Sequence, residues 1–447
     1  MNTQPPILDQ MRTELSDHRL WQTRAVVLAF GALSGLVVVL FTWLTDKALA
    51  LFHFLHAQSF WMPLVWTPAC TAFIVWITRR YYPGATGSGI PQVMAAVDAQ
   101  VPSQARGLFV SIKLSVSKLI LTAVGLAGGL SLGREGPSVQ IAAGVMHASR
   151  RWLPARSAVS AHGLLIAGGA AGIAAAFNTP LGGIMFAIEE LSRRPEQRSN
   201  GLLMAAIILS GLMGMSVFGN STYFGVIHVQ PVSLSLVLPG LWVALWCGVA
   251  GGLFARLVTA SLSGHGKDVF TRIRNRYPVR FAAGCGLAVA IIGLVSQGDT
   301  FGSGYGHTRD LLEHGSEPGK LYVLFKFMTT WITTWSGVPG GIFAPSLAIG
   351  AGIGADVAHW TGHFDTPALI AVGMAGFLAA VTQAPMTSFI IVMEMVDGYN
   401  LVLTLMAGAL VASGVSRLLS APLYANLAQM QLMRMPGYKP DPSAFKH

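Results

Sequence analysis

The chain of 447 residues alternates between long apolar runs and short polar stretches. A helix needs about 20 consecutive apolar residues to cross the hydrocarbon core of a bilayer, so runs of this length predict membrane-spanning helices. Such runs occur near 25–45, 60–78, 106–132, 158–177, 203–219, 233–259, 281–297, 321–336, 366–381 and 399–416. The pattern predicts an all-α polytopic membrane protein.

Four other apolar stretches are too short to cross a bilayer comfortably. They lie near 137–149, 181–191, 345–361 and 385–395, and each follows or begins at a proline. Helix ends at membrane depth are tolerated only where they are buried in protein or line a water-filled cavity. We therefore predict tilted or broken helices whose ends stop inside the protein.

The interrupted segments occur twice in the chain. A shift of 208 residues aligns Gly133–Val139 with Gly341–Leu347, and both copies read Gly-x-x-x-Pro-Ser. A shift of 205 residues aligns Gly168–Glu190 with Gly373–Met395. Duplication of this kind is typical of transporters whose substrate site lies between two repeats. The similarity alone leaves parallel and inverted repeats both open.

Composition and charge fit a membrane protein. Only 11% of the residues are charged, against roughly 25% in soluble domains. The formal net charge of +10 comes from basic residues in loops and at the ends, a pattern typical of cytoplasmic loops rather than of a nucleic-acid-binding surface. Basic residues before the first run predict a cytoplasmic N-terminus, and no removable signal peptide precedes that run.

The sequence contains no pattern typical of a metal or cofactor site. Cys70, Cys247 and Cys285 stand far apart in or beside apolar runs, which favours small core residues over a disulfide or metal framework. The 12 histidines include no HExxH pattern. We predict no metal, no cofactor and no nucleic-acid partner.

Three interruptions have the form of a helix start inside the membrane. They begin at Gly87, Glu135 and Gly340, and each brings a proline into the first helical turn. A helix N-terminus exposes free N–H groups and carries about half a positive elementary charge, so it attracts anions. Three converging starts would hold a small anion without a buried cationic side chain. The alternative, simple kinks, explains the matching copies less well.

Acidic residues inside the apolar runs sharpen this hypothesis. They are Glu135, Glu189, Glu190, Asp356 and Glu394. A charge at the bilayer centre costs about 2.5–3.5 kcal/mol on insertion scales, so such groups are protonated, paired or next to water. Glu135, at a helix start, would occupy the anion site as a carboxylate and vacate it when protonated. For Glu189, Glu394 and Asp356 we predict structural roles, although Asp356 has no explanation in the sequence.

The motifs GSGIP, GREGP and GIFAP, in this order, together with Pro422-Leu423-Tyr424, closely resemble the CLC chloride channels and transporters. The resemblance runs from about residue 25 to residue 428 and implies two inverted repeats and a homodimer with one pathway per subunit. It implies a cytoplasmic segment 1–24, a first repeat 25–219 and a second repeat 220–418. Residues 419–447 would supply a C-terminal helix with a pore tyrosine and a short cytoplasmic tail.

The resemblance also implies the site residues. Ser88 and Tyr424 resemble the hydroxyl groups that bind the central anion, and Ile342 and Phe343 resemble residues whose backbone N–H groups complete that site. Glu135 resembles the gating glutamate. A serine at position 88 goes with chloride rather than nitrate preference in this family. The predicted chloride-binding residues are Gly87, Ser88, Arg134, Gly136, Ile342, Phe343 and Tyr424, with Arg134 and Gly136 beside the outer site.

Exchangers of this family carry an inner glutamate, and Glu190 matches it. We therefore expect an exchanger of chloride for protons in a prokaryotic inner membrane, with both termini cytoplasmic, and with lipid and a second copy as its partners. A passive chloride channel gated by Glu135 is the alternative. Glu190 could instead form an ion pair with Arg193 or Arg194. An enzyme using Glu135 and Glu190 as acid and base lacks any accompanying nucleophile or metal pattern.

Overall fold

A computed structural model gives the fold for residues 16–155, 157–192, 200–219, 223–224, 234–264, 266, 268–314, 319, 321–362, 366–435 and 438. These described residues form 18 α-helices and contain no β-strand. The helices are α1 (His18–Gln58), α2 (Pro63–Tyr81), α3 (Ile90–Val97), α4 (Ile112–Ala127), α5 (Glu135–Ala148), α6 (Ala161–Phe177), α7 (Pro180–Phe186), α8 (Asn200–Phe218), α9 (Val237–Ser263), α10 (Val269–Arg276), α11 (Pro278–Val295), α12 (Tyr305–His314), α13 (Tyr322–Ser336), α14 (Phe343–Thr361), α15 (Thr366–Thr382), α16 (Pro385–Met395), α17 (Val402–Arg417) and α18 (Leu423–Leu432).

Long apolar helices surround shorter buried ones. Among the described residues, six helical segments are long and apolar enough to cross a membrane: His18–Gln58, Ala105–Ala127, Gly201–Phe218, Val237–Ser263, Pro278–Val295 and Tyr399–Arg417. Half or less of each is buried, so apolar side chains face outward, as lipid contact requires. By contrast α6 and α15, rich in alanine and glycine, are almost entirely buried. Each of the ten predicted apolar runs overlaps a helix, but four of these helices, α2, α6, α13 and α15, are not among the six candidate spans.

The prediction of interrupted helices is confirmed. Helix α3 begins at Ile90, α5 at Glu135 and α14 at Phe343, each with its proline in the first turn. Helix α7 has only 7 residues and α16 only 11, and both begin at a proline. The glycine and proline motifs stand at the starts of α3, α5 and α14, so these interruptions are the places where chemistry can reach the interior of the protein.

The two halves are related residue by residue. Asn178 and Gln383, which are 205 residues apart, are both non-glycine residues in the left-handed region with φ of 58°. Gly133 N donates to Gly341 O at 2.7 Å, and Gly341 N donates to Gly133 O at 2.8 Å. A reciprocal contact between equivalent residues is what a two-fold relation generates. The two repeats are therefore related by an approximate two-fold axis.

Close helix packing holds α14 in the centre. A Cβ atom built on Gly350 of α14 would lie 2.2 Å from the carbonyl oxygen of Gly373 in α15, and one built on Gly373 would lie 2.1 Å from that of Gly350. Small residues allow such close backbone approach, which drives helix association in membranes through van der Waals contact. A side chain at either position would push α14 away from α15.

Two glutamates stabilise the short helices across the repeat boundary. The Glu189 carboxylate accepts two backbone hydrogen bonds from the first turn of α16, at 2.6 and 3.2 Å. The Glu394 carboxylate accepts two from the first turn of α7, at 2.7 and 3.2 Å. Free N–H groups at a helix start are satisfied in this way, and the negative charge suits the helix dipole. The structural role predicted for these two residues is confirmed.

Candidate functional site

Three interruptions meet at one backbone junction. Besides the reciprocal pair between Gly133 and Gly341, Gly340 N donates to Gly87 O at 3.1 Å, and Gly87 forms an isolated parallel bridge with Pro339. The turn before α3, the turn before α5 and the turn before α14 are thus joined by hydrogen bonds. Converging helix starts, which the sequence predicts, are present in the structure.

The turn before α3 contacts the start of α5 directly. Gly89 has φ of 115°, and a Cβ atom there would lie 2.5 Å from the Gly136 carbonyl oxygen. In turn, a Cβ atom on Gly136 would lie 2.2 Å from Ser88 Oγ. Glycine is needed at position 89 because its backbone conformation and the contact both exclude a side chain. Gly136 brings the Ser88 hydroxyl against the first turn of α5.

Glu135 crosses from its own helix start to the start of α14. Its side chain is 0% exposed, and Oε2 accepts a hydrogen bond from Ala344 N at 3.4 Å. A Cβ atom on Gly133 would lie 2.3 Å from that Oε2 atom, so the absence of a side chain at Gly133 leaves room for the carboxylate. A negative group therefore lies where α14 presents free N–H groups.

The structure adds Ala344 to the predicted site. Sequence reasoning placed the anion on the N–H groups of Ile342 and Phe343, which the structure buries at the start of α14 with 3% and 1% exposure. Ala344 is the next residue of the same motif, and its N–H is a donor within this first turn. The signal that could have identified it is the length of the free first turn, which offers more than two N–H groups.

Two buried hydroxyl groups face the same junction. Ser88 is 9% exposed and Tyr424 is 0% exposed. The two side chains interact. Neither Ser88 Oγ nor Tyr424 Oη, however, has a hydrogen-bond partner of proper geometry among the described atoms. The Tyr424 ring stacks on Phe343 with 5.9 Å between centroids. Buried polar groups without partners are rare and call for a functional explanation. These hydroxyls are donors suited to a small anion.

Two buried lysines support the turns of the two repeats. Lys118 Nζ donates to Ala85 O and Gly87 O, both at 2.6 Å, and so fixes the turn that carries Ser88. Lys326, its equivalent in the second repeat, donates to the carbonyl oxygens of Thr300 and Gly302 at 3.0 and 2.8 Å. The sequence signal was present, because each lysine precedes its interruption by the same spacing, but it predicted no role for either.

Arg134 is held between α1 and the segment at 223–224. It forms an ion pair with Asp46 of α1, and Nη2 donates to Tyr223 Oη at 3.1 Å. Tyr305 donates from Oη to the Tyr223 carbonyl at 2.7 Å, which fixes that tyrosine in place. Sequence reasoning found Arg134 through its motif but missed Asp46 and Tyr223, because neither belongs to a motif.

Glu190 lies on a π-helical turn, Ala187–Leu191, directly after α7. It is half-buried, and Tyr424 lies within electrostatic range of both Glu190 and Glu135. Single π turns are frequent at functional sites. The alternative partners Arg193 and Arg194 lie outside the residues that the structure describes.

No group of three histidine, cysteine, aspartate or glutamate side chains is placed to hold a metal within the described ranges. The three cysteines are buried as free thiols. The polar groups of the site are backbone N–H groups, hydroxyls and carboxylates. This donor set suits an anion and a proton.

A family model described as voltage gated chloride channel matches residues 70–417. The chain belongs to this family. It is 32% identical over 390 residues to the H(+)/Cl(-) exchange transporter ClcA of Vibrio parahaemolyticus, covering 83% of this chain and 80% of the relative. It is 31% identical over 432 residues to the protein of the same name from Klebsiella pneumoniae, covering 90% and 88%.

Solved structures show the same fold. The chain superposes on a slow cyanobacterial Cl-/H+ antiporter with a TM-score of 0.81 at 23% identity, covering 93% of this chain and 99% of that chain. For a CLC-type fluoride/proton antiporter the TM-score is 0.74 at 20% identity, covering 95% and 99%. The predicted CLC fold is confirmed, and this family consists of transport proteins rather than enzymes.

Proposed function

We propose that this protein exchanges chloride for protons across a prokaryotic inner membrane. The observation that carries the proposal is the buried Glu135 carboxylate hydrogen-bonded to Ala344 N at the start of α14. A side-chain anion occupies a position that helix N-termini make favourable for any small anion. The two relatives named H(+)/Cl(-) exchange transporter ClcA support the same function.

Chloride binds where the donors converge. The backbone N–H groups of Ile342 and Phe343 and the hydroxyls of Ser88 and Tyr424 surround the central position, and Gly87 shapes the turn that presents Ser88. Gly136 and Arg134 border the outer position. The central position is surrounded by partial charges rather than by a contacting cationic side chain, so that binding there is weak enough for release.

Glu135 links the two substrates through competition. As a carboxylate it occupies the N–H groups of α14 and blocks chloride. When a proton neutralises it, its attraction to the helix dipole falls and chloride takes its place. Each exchange of the carboxylate for chloride therefore requires a proton at Glu135, which couples the two fluxes by mass action.

Glu190 is the proposed inner proton acceptor. It lies on the π turn after α7, and the Tyr424 ring lies within electrostatic range of Glu190 and Glu135. A proton entering from the cytoplasm would bind Glu190 first and then reach Glu135 over a route separate from that of chloride. Two points support this role of Glu190 as the inner proton acceptor. One is the resemblance that assigns it, and the other is its interaction with Tyr424, which also interacts with Glu135.

We further propose a homodimer in which the short helices lie at the interface. Leu181 in the first turn of α7 and Met386 in the first turn of α16 are exposed. Helix ends at membrane depth need to be buried in protein. Neighbouring exposed apolar residues on the π turn, α8 and α17 are Ile188, Met204, Ile208, Leu212, Leu403 and Leu410. A second copy would cover this face. We also propose the division of the chain. The first repeat spans 25–219, the second spans 220–418, residues 419–447 form a C-terminal unit, and both termini are cytoplasmic.

The test is proton uptake by purified protein in liposomes. With an outward chloride gradient and no initial proton gradient, an exchanger drives protons inward and builds up a proton gradient, which a pH electrode outside the vesicles detects as alkalinisation. We expect this signal from the native chain. A passive chloride channel gated by Glu135 would give chloride flux without it, and that outcome would refute exchange.

Two variants assign the proton route. Glu135→Gln should pass chloride with no coupled proton movement, because glutamine keeps the size of the side chain and cannot release a proton. Glu190→Gln should stop proton movement while chloride flux remains under the control of Glu135. Persistent coupling in Glu190→Gln would remove Glu190 from the proton route without touching the role of Glu135.

A further inference from the structure

Asp46 is an acidic side chain beside the outer anion position with no assigned role. It lies on α1, is 59% exposed, and pairs with the Arg134 side chain, which is 12% exposed. A second ion pair joins Arg309 to Glu313 on α12, at 2.7 Å. Asp46 thus places a negative charge directly against the arginine that borders the proposed chloride site.

The α1 helix presents a row of oxygens to Arg134. Nη1 points to the Asp46 carboxylate, to Thr42 O at 3.4 Å and to Thr45 Oγ1 at 3.5 Å, while Nη2 is taken by Tyr223 Oη. Because the guanidinium is planar and rigid, fixing both terminal nitrogens also fixes Nε. The orientation of the whole group is therefore set by α1 and Tyr223.

Nε is the guanidinium nitrogen nearest to the start of α5, where Glu135 stands. It is buried and has no hydrogen-bond partner among the described atoms. The charged and titratable groups around Asp46 are Arg134 and Glu135 from α5, Tyr223, and the neighbouring Lys47 on α1. Arg134 consequently keeps one N–H group without a partner, while its charge is offset by Asp46.

Offsetting that charge has a use in a transporter. An arginine without a carboxylate partner would attract chloride strongly, and an anion held too tightly does not leave. A paired arginine keeps its geometry but contributes less positive potential. The exposed side of the pair is partly screened by water, so the effect on the outer site is moderate.

We propose that Asp46 is a positioning residue that lowers the chloride affinity of the outer site by pairing with Arg134. This inference rests on the proposed function, since it concerns the same anion. It assigns to α1 a part in substrate affinity, although α1 carries none of the motifs.

The test is calorimetric titration of chloride at constant ionic strength, with a large organic anion as replacement. The Glu135→Gln variant is the background, because its outer position is not blocked by a carboxylate. Adding Asp46→Asn should lower the dissociation constant about two- to fivefold, the range expected for an exposed ion pair. Asparagine can still accept from Nη1, so the geometry is kept while the charge is removed.

Matched variants separate this role from others. Glu313→Gln removes a carboxylate from the other ion pair and should leave the dissociation constant unchanged, whereas Asp46→Glu should retain the background value. In an Arg134→Gln background, Asp46→Asn should have no effect. If Asp46→Asn fails to fold, Asp46→Ser replaces it, with the same expected decrease.

An unchanged or higher dissociation constant in Asp46→Asn would overturn the inference. So would an equal decrease in the Arg134→Gln background, because Asp46 would then act without the arginine. Absence of any chloride binding in Glu135→Gln would instead refute the proposed function itself. The two failures are therefore distinguishable.

Discussion

Individual residues at the junction divide into those that a motif reveals and those that only the fold reveals. Ser88, Glu135 and Tyr424 stand in motifs, and the structure places all three beside the start of α14. Ala344 bonds to Glu135 across a separation of 209 residues, and Asp46 pairs with Arg134 across 88 residues. Such pairings depend on how helices pack, so neither spacing nor residue type predicts them.

Tyr424 allows a prediction about a single hydroxyl. Tyr424→Phe keeps the ring stacked on Phe343 but removes one O–H donor from the site. A hydrogen bond to a charged group is worth about 1.5–3 kcal/mol, so chloride binding should weaken by at least tenfold in a calorimetric titration. Tyr322→Phe is the matched control, because its hydroxyl is also buried and without a partner but belongs to α13. Equal losses in both variants would contradict a specific role for Tyr424.

Short helices depend on partners from the other half of the molecule. With 7 residues, α7 is too short to be stable by its own hydrogen bonds. Its first turn is held by Glu394, just as the first turn of α16 is held by Glu189. Helix existence and helix starts were predictable here from glycine and proline, whereas the cross-repeat caps were not, because their partners lie 197 to 213 residues away.

The caps make a prediction about stability. Glu394→Ala leaves two N–H groups at the start of α7 without acceptors, and losing a helix cap costs about 0.5–2 kcal/mol. The midpoint of thermal unfolding in detergent should therefore fall. Glu313→Ala removes an exposed carboxylate whose ion pair is worth about 0–1 kcal/mol, so its midpoint should move less. Equal shifts in the two variants would show that the cap contributes nothing beyond a surface pair.

At the scale of the whole molecule, duplication explains why the site is central. Each repeat supplies one helix start that the inverted relation carries to the same place, α5 from the first and α14 from the second. The first copy carries Glu135 and the second carries Phe343 at the equivalent position, so one start supplies the movable carboxylate and the other the N–H groups that receive it. The sequence predicted the duplication, and the reciprocal pair of Gly133 and Gly341 adds the two-fold relation between the copies.

The proposed dimer face consists of exposed apolar side chains on α7, α8, α16 and α17, which leads to a prediction about assembly. Leu212 on α8 is 45% exposed, and in a dimer across this face it would be buried against the second copy. Leu212→Gln should weaken the dimer by about 1 kcal/mol or more, measured by sedimentation in detergent. Leu287→Gln changes a leucine of similar exposure, 41%, on α11, a helix that packs against α2 and α13. Because a lipid-facing glutamine does not touch the partner, Leu287→Gln should leave dimerisation intact; weakening by both variants alike would place the interface elsewhere.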